Sequence, residues 1–160
     1  MNILIILSIL ILLYFVFQPC KYSFSSKSGR LFKARNPDVA DLLEAIIYIS
    51  YDLAKKINEK DGKQLRSKLQ NTSFIEIIND DPQILAWNYD KGREIGIKVF
   101  DDYNAPLDAN TIITSLLHEL AHSLCKTIGH NSEWEEKNNY LQGFKNVYID
   151  YLISNTFIKK

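Results

Sequence analysis

Residues 116–122 of the chain have the sequence LLHELAH, in which His118 and His122 flank Glu119 in the pattern H-E-x-x-H. Histidines four residues apart lie on the same face of a helix, so both imidazoles can reach one Zn²⁺ ion. Glu119 lies about 100° further around the helix, where it can take a proton from a metal-bound water. The leucines and the alanine are typical of a helix buried on most sides. We therefore predict a buried helix with a catalytic metal site on one face.

A catalytic zinc site needs a third protein ligand, and His130 is the remaining histidine of the chain. It follows Gly129, where a reversal of the chain would return its side chain towards the other two histidines. All three lie within thirteen residues of a 160-residue chain, which is tighter than chance placement favours. Four acidic residues downstream could replace it as a ligand: Glu133, Glu135, Glu136 and Asp150. We take the histidine as the simpler choice and predict the metal ligands His118, His122 and His130.

For other residues near the motif, an ordinary structural role is the simpler interpretation. Cys125 is seven residues from His118, on nearly the same side of the helix, yet we expect a packed core thiol. Tyr140, Tyr148 and Tyr151 could donate a hydrogen bond to a developing oxyanion, but tyrosines at this spacing are usually core or rim residues. The longer metzincin pattern fails, because it requires glycine at position 125 and histidine at position 128.

Hydrophobic periodicity outside the motif predicts helices around a small sheet. Asn36 and Pro37 form a helix start, and apolar residues at helical spacing extend this helix to about residue 59. Further elements are predicted as a short helix at 63–69, strands at 73–78, 83–89 and 94–100, and a turn at 90–92. The motif helix is predicted from Asp108 or Asn110 to about residue 127. Ser132 begins a capping box and opens the first of two further helices, which are separated near Gly143. The sheet is expected to be antiparallel, and Trp87 and Trp134 are expected to anchor the core. Helices before and after a small sheet indicate an α+β domain.

The amino-terminal part of the chain differs in composition from the rest. Residues 3–17 are apolar or aromatic except for Ser8, which predicts a short membrane anchor over residues 1–19, and no small-x-small cleavage pattern follows. Residues 20–35 carry five basic residues and no acid, which indicates a solvated tether or, less simply, contact with anionic headgroups. The positive-inside rule then places the following domain, 36–160, in the cytosol. The glycosylation sequon at Asn71 would matter only on the lumenal side.

Charge and cysteine content exclude several classes of protein. The 19 Lys and Arg residues balance the 19 Asp and Glu residues, so the chain lacks the excess positive charge that nucleic-acid-binding domains use. Two cysteines exclude a disulfide framework and a cysteine-only zinc knuckle. The length fits one membrane segment and a single domain of about 120 residues, which is large enough to bury a core.

The segment HELAH at 118–122, followed by GHNSEW at 129–134, resembles the SprT-like and WLM group of small, minigluzincin-like zinc metalloproteases. The resemblance implies a zincin-like fold, zinc bound by the three histidines, Glu119 as the general base and Trp134 packed behind the site. It also implies that strand 94–100 is the edge strand that holds an extended substrate by strand addition. The zinc ribbon and basic tail of relatives that act in DNA–protein crosslink repair have no counterpart in the sequence, so a nucleic-acid partner is not expected.

These observations predict a membrane-anchored zinc metallopeptidase that hydrolyses peptide bonds of a protein or peptide substrate, with Zn²⁺ as cofactor and Glu119 as general base. The alternative hypothesis is a non-catalytic, zinc-stabilised interaction domain tethered to the membrane. A purely structural zinc site has no use for a base beside an open coordination position, so the intact Glu119 favours the enzyme. A metal-free interaction module is the third hypothesis.

Overall fold

The computed structural model of the chain describes residues 23–78 and 81–159, which form five helices and two small sheets. The helices are α1 (Pro37–Lys56), α2 (Glu59–Leu69), α3 (Ala109–Leu124), α4 (Ser132–Gln142) and α5 (Lys145–Asn155). The strands are β1 (Ser23–Ser25), β2 (Leu31–Lys33), β3 (Ser73–Glu76), β4 (Ala86–Tyr89) and β5 (Glu94–Ile97). Helices and sheets share one hydrophobic core, as expected for an α+β domain.

The amino-terminal part of the described chain is a β-hairpin rather than a tether. β1 and β2 pair antiparallel, and Phe32 and Ala34 are buried in the core. The folded domain therefore includes residues from Ser23 onward and does not begin at residue 36 as predicted, because the core takes up the apolar side chains of this basic segment. The predicted anchor, residues 1–19, lies outside the described residues. Among those that are described, no helix combines the length and the apolar composition needed to cross a bilayer.

An ion pair joins this hairpin to the main sheet. The Arg35 Nε donates to Oε1 of Glu76 at 2.5 Å, and the Arg35 backbone N–H donates to Oε2 at 2.6 Å. The Glu76 side chain is fully buried. Burial raises the pKa of Glu76, an effect that Arg35 opposes. The guanidinium group also lies over Phe100, 4.2 Å from the ring centroid, so this contact fixes the chain between the hairpin and α1.

The main sheet is mixed, with the strand order β3-β5-β4. β5 pairs parallel with β3 and antiparallel with β4, so the prediction of an antiparallel sheet is wrong for β3 and β5. Ile95 and Ile97 of β5 project from the same face of the sheet and are fully buried. β5 also pairs on both of its edges. The predicted edge strand 94–100 is therefore central, and β4 is an edge of the sheet.

The turn at 90–92 forms as predicted and brings the sheet close to α3. Asp90, Lys91 and Gly92 have positive φ angles of 48°, 52° and 102°, as in tight hairpin turns. A Cβ atom on Gly92 would lie 2.8 Å from the Ser123 Oγ of α3. Glycine avoids this contact and also adopts the positive φ angle, which other residues rarely do.

Local hydrogen bonds set the helix boundaries. α1 begins as predicted, with the Asn36 side chain accepting from the Val39 N–H. It ends at Lys56 and not at residue 59, because Asn58 accepts from the Asp61 N–H and so caps α2. α2 consequently begins four residues earlier than predicted.

The two carboxy-terminal helices are separated near Gly143, as predicted. Asn131, and not Ser132, caps α4 by accepting a hydrogen bond from the Trp134 N–H at 3.1 Å. The capping residue is thus one position earlier than the sequence pattern indicates, and it follows directly after His130.

Candidate metal centre

α3 carries two of the predicted ligands in a buried setting. Asp108 caps its first turn, with Oδ1 accepting a hydrogen bond from the Thr111 N–H at 2.9 Å. The apolar residues around the motif are buried, as predicted: Leu116, Leu117, Leu120, Ala121 and Leu124. The helix ends at Leu124 and not near residue 127, because Cys125 has an extended backbone with a ψ of 148°. A loop of seven residues, 125–131, therefore connects α3 to α4.

This loop returns the third histidine to the first two. Gly129 has a φ of 91°, which other residues rarely adopt. The Glu133 carboxylate accepts hydrogen bonds from the Lys126 N–H and the Thr127 hydroxyl, each at 3.2 Å. The predicted reversal at Gly129 is confirmed, and Glu133 holds the loop instead of joining the histidines.

The Nε2 atoms of the three histidines converge in the cleft. They lie 3.3 Å apart between His118 and His122, 3.2 Å between His122 and His130, and 3.1 Å between His130 and His118. Three nitrogens at 2.0–2.1 Å from one tetrahedral ion lie roughly 3.3 Å from one another. Within the described residues, these three side chains form a donor group close enough to hold a metal ion. The predicted ligand set is therefore brought together, with a spacing that fits zinc.

The surroundings of His118 and His122 favour the neutral imidazole, which is the form that binds a metal ion. Burial, followed by the charges of His122 and His130, lowers the pKa of His118 to about 4. Burial and the neighbouring His130 also lower the pKa of His122. A neutral imidazole with its proton on Nδ1 has a lone pair on Nε2. A cation held between the three Nε2 atoms would accept one such lone pair from each histidine.

Glu119 lies beside this group on the inner side of the same helical turn. Its side chain is 7% exposed, and its Oε1 lies 4.0 Å from the His118 Nε2. Burial raises the pKa of Glu119 to about 7. A carboxylate with this pKa can both accept and return a proton near neutral pH. Its position suits a general base, and that role stays a prediction.

Asn88 is a site residue that the motif does not reveal. It lies on β4, and its Nδ2 donates to the main-chain oxygen of Glu119 at 2.7 Å and to the Ser123 Oγ at 2.8 Å. Its Oδ1 accepts from the Gly92 N–H at 2.6 Å. These bonds fix β4 and its turn to the motif helix. The available signal in the sequence is an asparagine within a strand, where this residue type is uncommon.

The Trp134 indole packs against all three imidazoles, as the resemblance implies. Its ring centroid lies 4.7 Å from that of His118, 5.4 Å from that of His122 and 4.3 Å from that of His130. Its Nε1 is buried and has no hydrogen-bond partner among the residues the structure describes. The indole thus supports the ligand side chains from one side.

The cleft continues on both sides of His118 and Glu119. On one side the cleft has a volume of about 420 Å³, and we call this part the Leu85 chamber. Besides Leu85, His118 and Glu119, its walls include Gln83, Ile84, Ala86, Thr114 and Ser115. On the other side the cleft has a volume of about 530 Å³, and we call this part the Lys91 chamber. Besides Lys91, His118 and Glu119, its walls include Trp87, Asn88, Asp90, Thr127, Ile128 and His130. Trp87 does not belong to the hydrophobic core or to the partly buried residues packed against it, so its expected role as a core anchor is wrong, whereas Trp134 packs against the core. β4 borders both chambers.

The remaining candidates have structural partners elsewhere. The buried Cys125 thiol donates to the main-chain oxygen of Ala121 at 3.2 Å. Each candidate tyrosine has its own contact: the Tyr140 hydroxyl accepts from the Asn58 N–H, the Tyr148 hydroxyl donates to Asp52, and the Tyr151 ring stacks on Tyr48. None of these tyrosines lines either chamber. The alternative acidic ligands Glu133, Glu135, Glu136 and Asp150 do not belong to the donor group formed by the histidines.

Comparisons with known proteins show similarity of limited extent. No protein-family model matches the chain, and the search of curated proteins found no match. A crystal structure of Wss1 from Saccharomyces cerevisiae is similar at 20% identity and a TM-score of 0.44, covering 55% of this chain and 73% of that chain. A structure of a Wss1 mutant from the same organism is similar at 20% identity and a TM-score of 0.44, covering 56% of this chain and 75% of that chain. A likeness of this extent does not transfer a function.

Proposed function

We propose that the protein is a zinc metallopeptidase that cleaves internal peptide bonds of protein substrates. The observation that carries the proposal is the convergence of three imidazole nitrogens, 3.1–3.3 Å apart, beside a buried carboxylate. His118, His122 and His130 would hold the ion, since three imidazoles with an open fourth position are a usual catalytic zinc set. When bound, zinc would polarise the scissile carbonyl and lower the pKa of a water molecule.

Glu119 is the group that moves protons in this proposal. Because burial raises its pKa to about 7, its proton affinity is matched to neutral pH. A cation held by the histidines would favour the charged, basic form of the carboxylate. Glu119 can then take a proton from the attacking water and give a proton to the leaving amine. Asn88 and Ser123 hold the turn of α3 that carries it, through its main-chain oxygen.

β4 is suited to hold the substrate backbone. One edge of β4 pairs with β5, and its other edge pairs with no strand of the described part of the chain. An extended peptide can add there as a further strand, next to His118 and Glu119. The cleft continues on both sides of these residues, which favours cleavage within a chain over removal of terminal residues. The role expected for strand 94–100 therefore passes to β4.

Membrane attachment is a part of the proposal that the sequence supports. The apolar run at 3–17 favours an anchor over residues 1–19, and the basic residues that follow favour a cytosolic domain. Carbonate extraction of cell membranes tests the attachment, and the full chain should stay in the membrane pellet. Recovery of the full chain in the soluble fraction would contradict the anchor and leave the peptidase proposal untouched.

Exchange of Glu119 for glutamine tests the mechanism. Glu119→Gln leaves the three ligands in place, so it should keep its zinc while hydrolysis of an unfolded protein such as casein falls about a hundredfold or more. Glu135→Gln is the matched control, because Glu135 is exposed on α4 and lines neither chamber. A chelator should abolish the activity of the parent, and added zinc should restore it.

Two outcomes would contradict this function in different ways. If Glu119→Gln cleaves as fast as the parent, Glu119 is not the base. If the zinc-loaded parent cleaves no unfolded protein, the histidines form a non-catalytic zinc site, and the alternative of a zinc-stabilised interaction domain takes precedence.

A further inference from the structure

Three lysines from different parts of the chain meet beside the Lys91 chamber. Lys91 lines this chamber, and its Nζ donates to the main-chain oxygen of Lys126. The Lys68 Nζ donates to the main-chain oxygen of Lys91 at 3.0 Å. These three residues, which we call the lysine cluster, bring together α2, the hairpin turn and the loop after α3.

The lysine cluster carries three positive charges, and two carboxylates lie near it. Within residues 23–78 and 81–159, none of its three ammonium groups forms a salt bridge. Two acids lie nearby: Asp90 lines the same chamber and its charge opposes the lowering of the Lys68 pKa, while the charge of Lys126 acts on Glu133. In the described part of the chain, Lys68 and Lys91 therefore face a single carboxylate between them. Burial, and then the charge of Lys91, lower the pKa of Lys68. An anion placed beside these lysines would therefore be stabilised.

The other side of the cleft has a different character. The walls of the Leu85 chamber are apolar, hydroxyl and amide side chains, together with His118 and Glu119 of the site itself. No Lys or Arg lines this chamber. A chain bound along β4 would pass from an uncharged environment, across the metal site, into one that is lined by the charged residues Lys91 and Asp90, with the Lys68 ammonium group nearby. The cleft therefore distinguishes the two sides of a scissile bond.

We propose that the Lys91 chamber selects substrates with an Asp or Glu side chain within a few residues of the scissile bond on that side. This inference rests on the proposed peptidase function and adds its substrate class. Lys91 determines the selection, because its ammonium group has three N–H donors and Lys126 occupies one of them. Two donors remain for a carboxylate, and the charge of the nearby Lys68 offsets that of Asp90.

The first experiment maps cleavage sites with a degenerate peptide mixture and the zinc-loaded protein. Mass spectrometry of the products should show Asp and Glu enriched on one side of the cleaved bond only. A pair of peptides that differ by Glu or Gln at the enriched position then gives the selectivity. We expect kcat/KM to be about tenfold higher for the Glu peptide, the size expected for a charged hydrogen bond.

Two variants assign this selectivity to Lys91. Lys91→Gln keeps an N–H donor for the Lys126 oxygen and removes the charge, so the two peptides should become equivalent while bound zinc is unchanged. Arg93→Gln is the matched control, because Arg93 is an exposed cation of the same turn that lines neither chamber, and the preference should persist. Peptide binding to the zinc-loaded Glu119→Gln variant, measured by fluorescence anisotropy, repeats the comparison without hydrolysis.

The outcomes separate this inference from the function on which it rests. No enrichment of Asp or Glu, or a preference that survives in Lys91→Gln, would overturn the selection by Lys91. Absence of cleavage together with tighter binding of the Glu peptide would overturn the peptidase function and keep the anionic subsite. Equal binding of both peptides would overturn the subsite whether or not cleavage occurs.

Discussion

Replacement of Trp134 tests whether the indole aligns the three imidazoles or only fills space beside them. Truncation of a buried tryptophan to alanine costs about 3–5 kcal/mol. Because Trp134 is partly buried, we expect Trp134→Ala to lower the free energy of unfolding of the metal-free protein by about 2 kcal/mol. All three imidazole centroids lie within 5.4 Å of the indole centroid, so the same change frees all three rings. The zinc affinity should then fall by about 10- to 100-fold, as for other groups that orient metal ligands.

Trp134→Phe separates alignment from the properties of the indole N–H. This variant keeps an aromatic ring beside the histidines and removes the Nε1 donor that is buried without a partner. An unpaired buried donor costs about 1–3 kcal/mol, so its removal offsets the lost contact area. We expect the free energy of unfolding to stay within about 1 kcal/mol of that of the parent. The zinc affinity should change by a few-fold at most.

Urea unfolding of the metal-free proteins gives the free energies, and competition with a chromophoric chelator gives the zinc affinities. Zinc affinity equal to that of the parent in Trp134→Ala would refute the alignment. Losses of the same size in Trp134→Phe and Trp134→Ala would show that the indole N–H is needed, and that the donor has a partner when the protein is in solution.

Two further predictions concern Glu119 and Asn88. Burial raises the pKa of Glu119 from 4.5 to about 7, so this group stabilises the metal-free fold below pH 4.5, and the contribution is lost as the pH rises through 7. The free energy of unfolding of the metal-free parent, relative to that of Glu119→Gln, should therefore be lower by roughly 2 kcal/mol at pH 8 than at pH 5. Chemical unfolding of both proteins at the two pH values checks this. A difference between the proteins that does not depend on pH would contradict it. Asn88→Ala leaves the Gly92 N–H without its side-chain acceptor and frees β4 from α3, so the free energy of unfolding should fall by about 2 kcal/mol. KM should rise more than kcat falls, and unchanged peptide kinetics would show that β4 does not hold the substrate.

The sequence predicted best those features that depend on short stretches of chain. His118 and His122 share a helical face by spacing alone, and the cap at Asp108 and the glycine reversal before His130 are equally local. Capping residues were missed at two positions. Asn58 caps α2, so α1 ends earlier than predicted, and Asn131 caps α4 in place of Ser132.

Features that depend on distant contacts could not be predicted in this way. The central position of β5 results from pairing with β3, about twenty residues earlier in the chain, and periodicity contains no information about strand order. The hydrogen bonds of Asn88 to α3 and of Lys91 to the loop after α3 each join residues more than thirty positions apart. The contacts of Asn88 and Lys91 with the site were therefore visible only in the folded chain.

The contact between Arg35 and Glu76 decides where the chain can be shortened. A protein that begins at residue 36 would keep the fully buried Glu76 carboxylate and lose its guanidinium partner. Loss of one partner of a buried pair costs about 3–5 kcal/mol, a large fraction of the stability of a small domain. Such a shortened protein would lose activity by unfolding, with its metal ligands intact. Removal of the residues before Ser23 spares this pair, so the start of the hairpin is the position at which an anchor could be replaced by a purification tag.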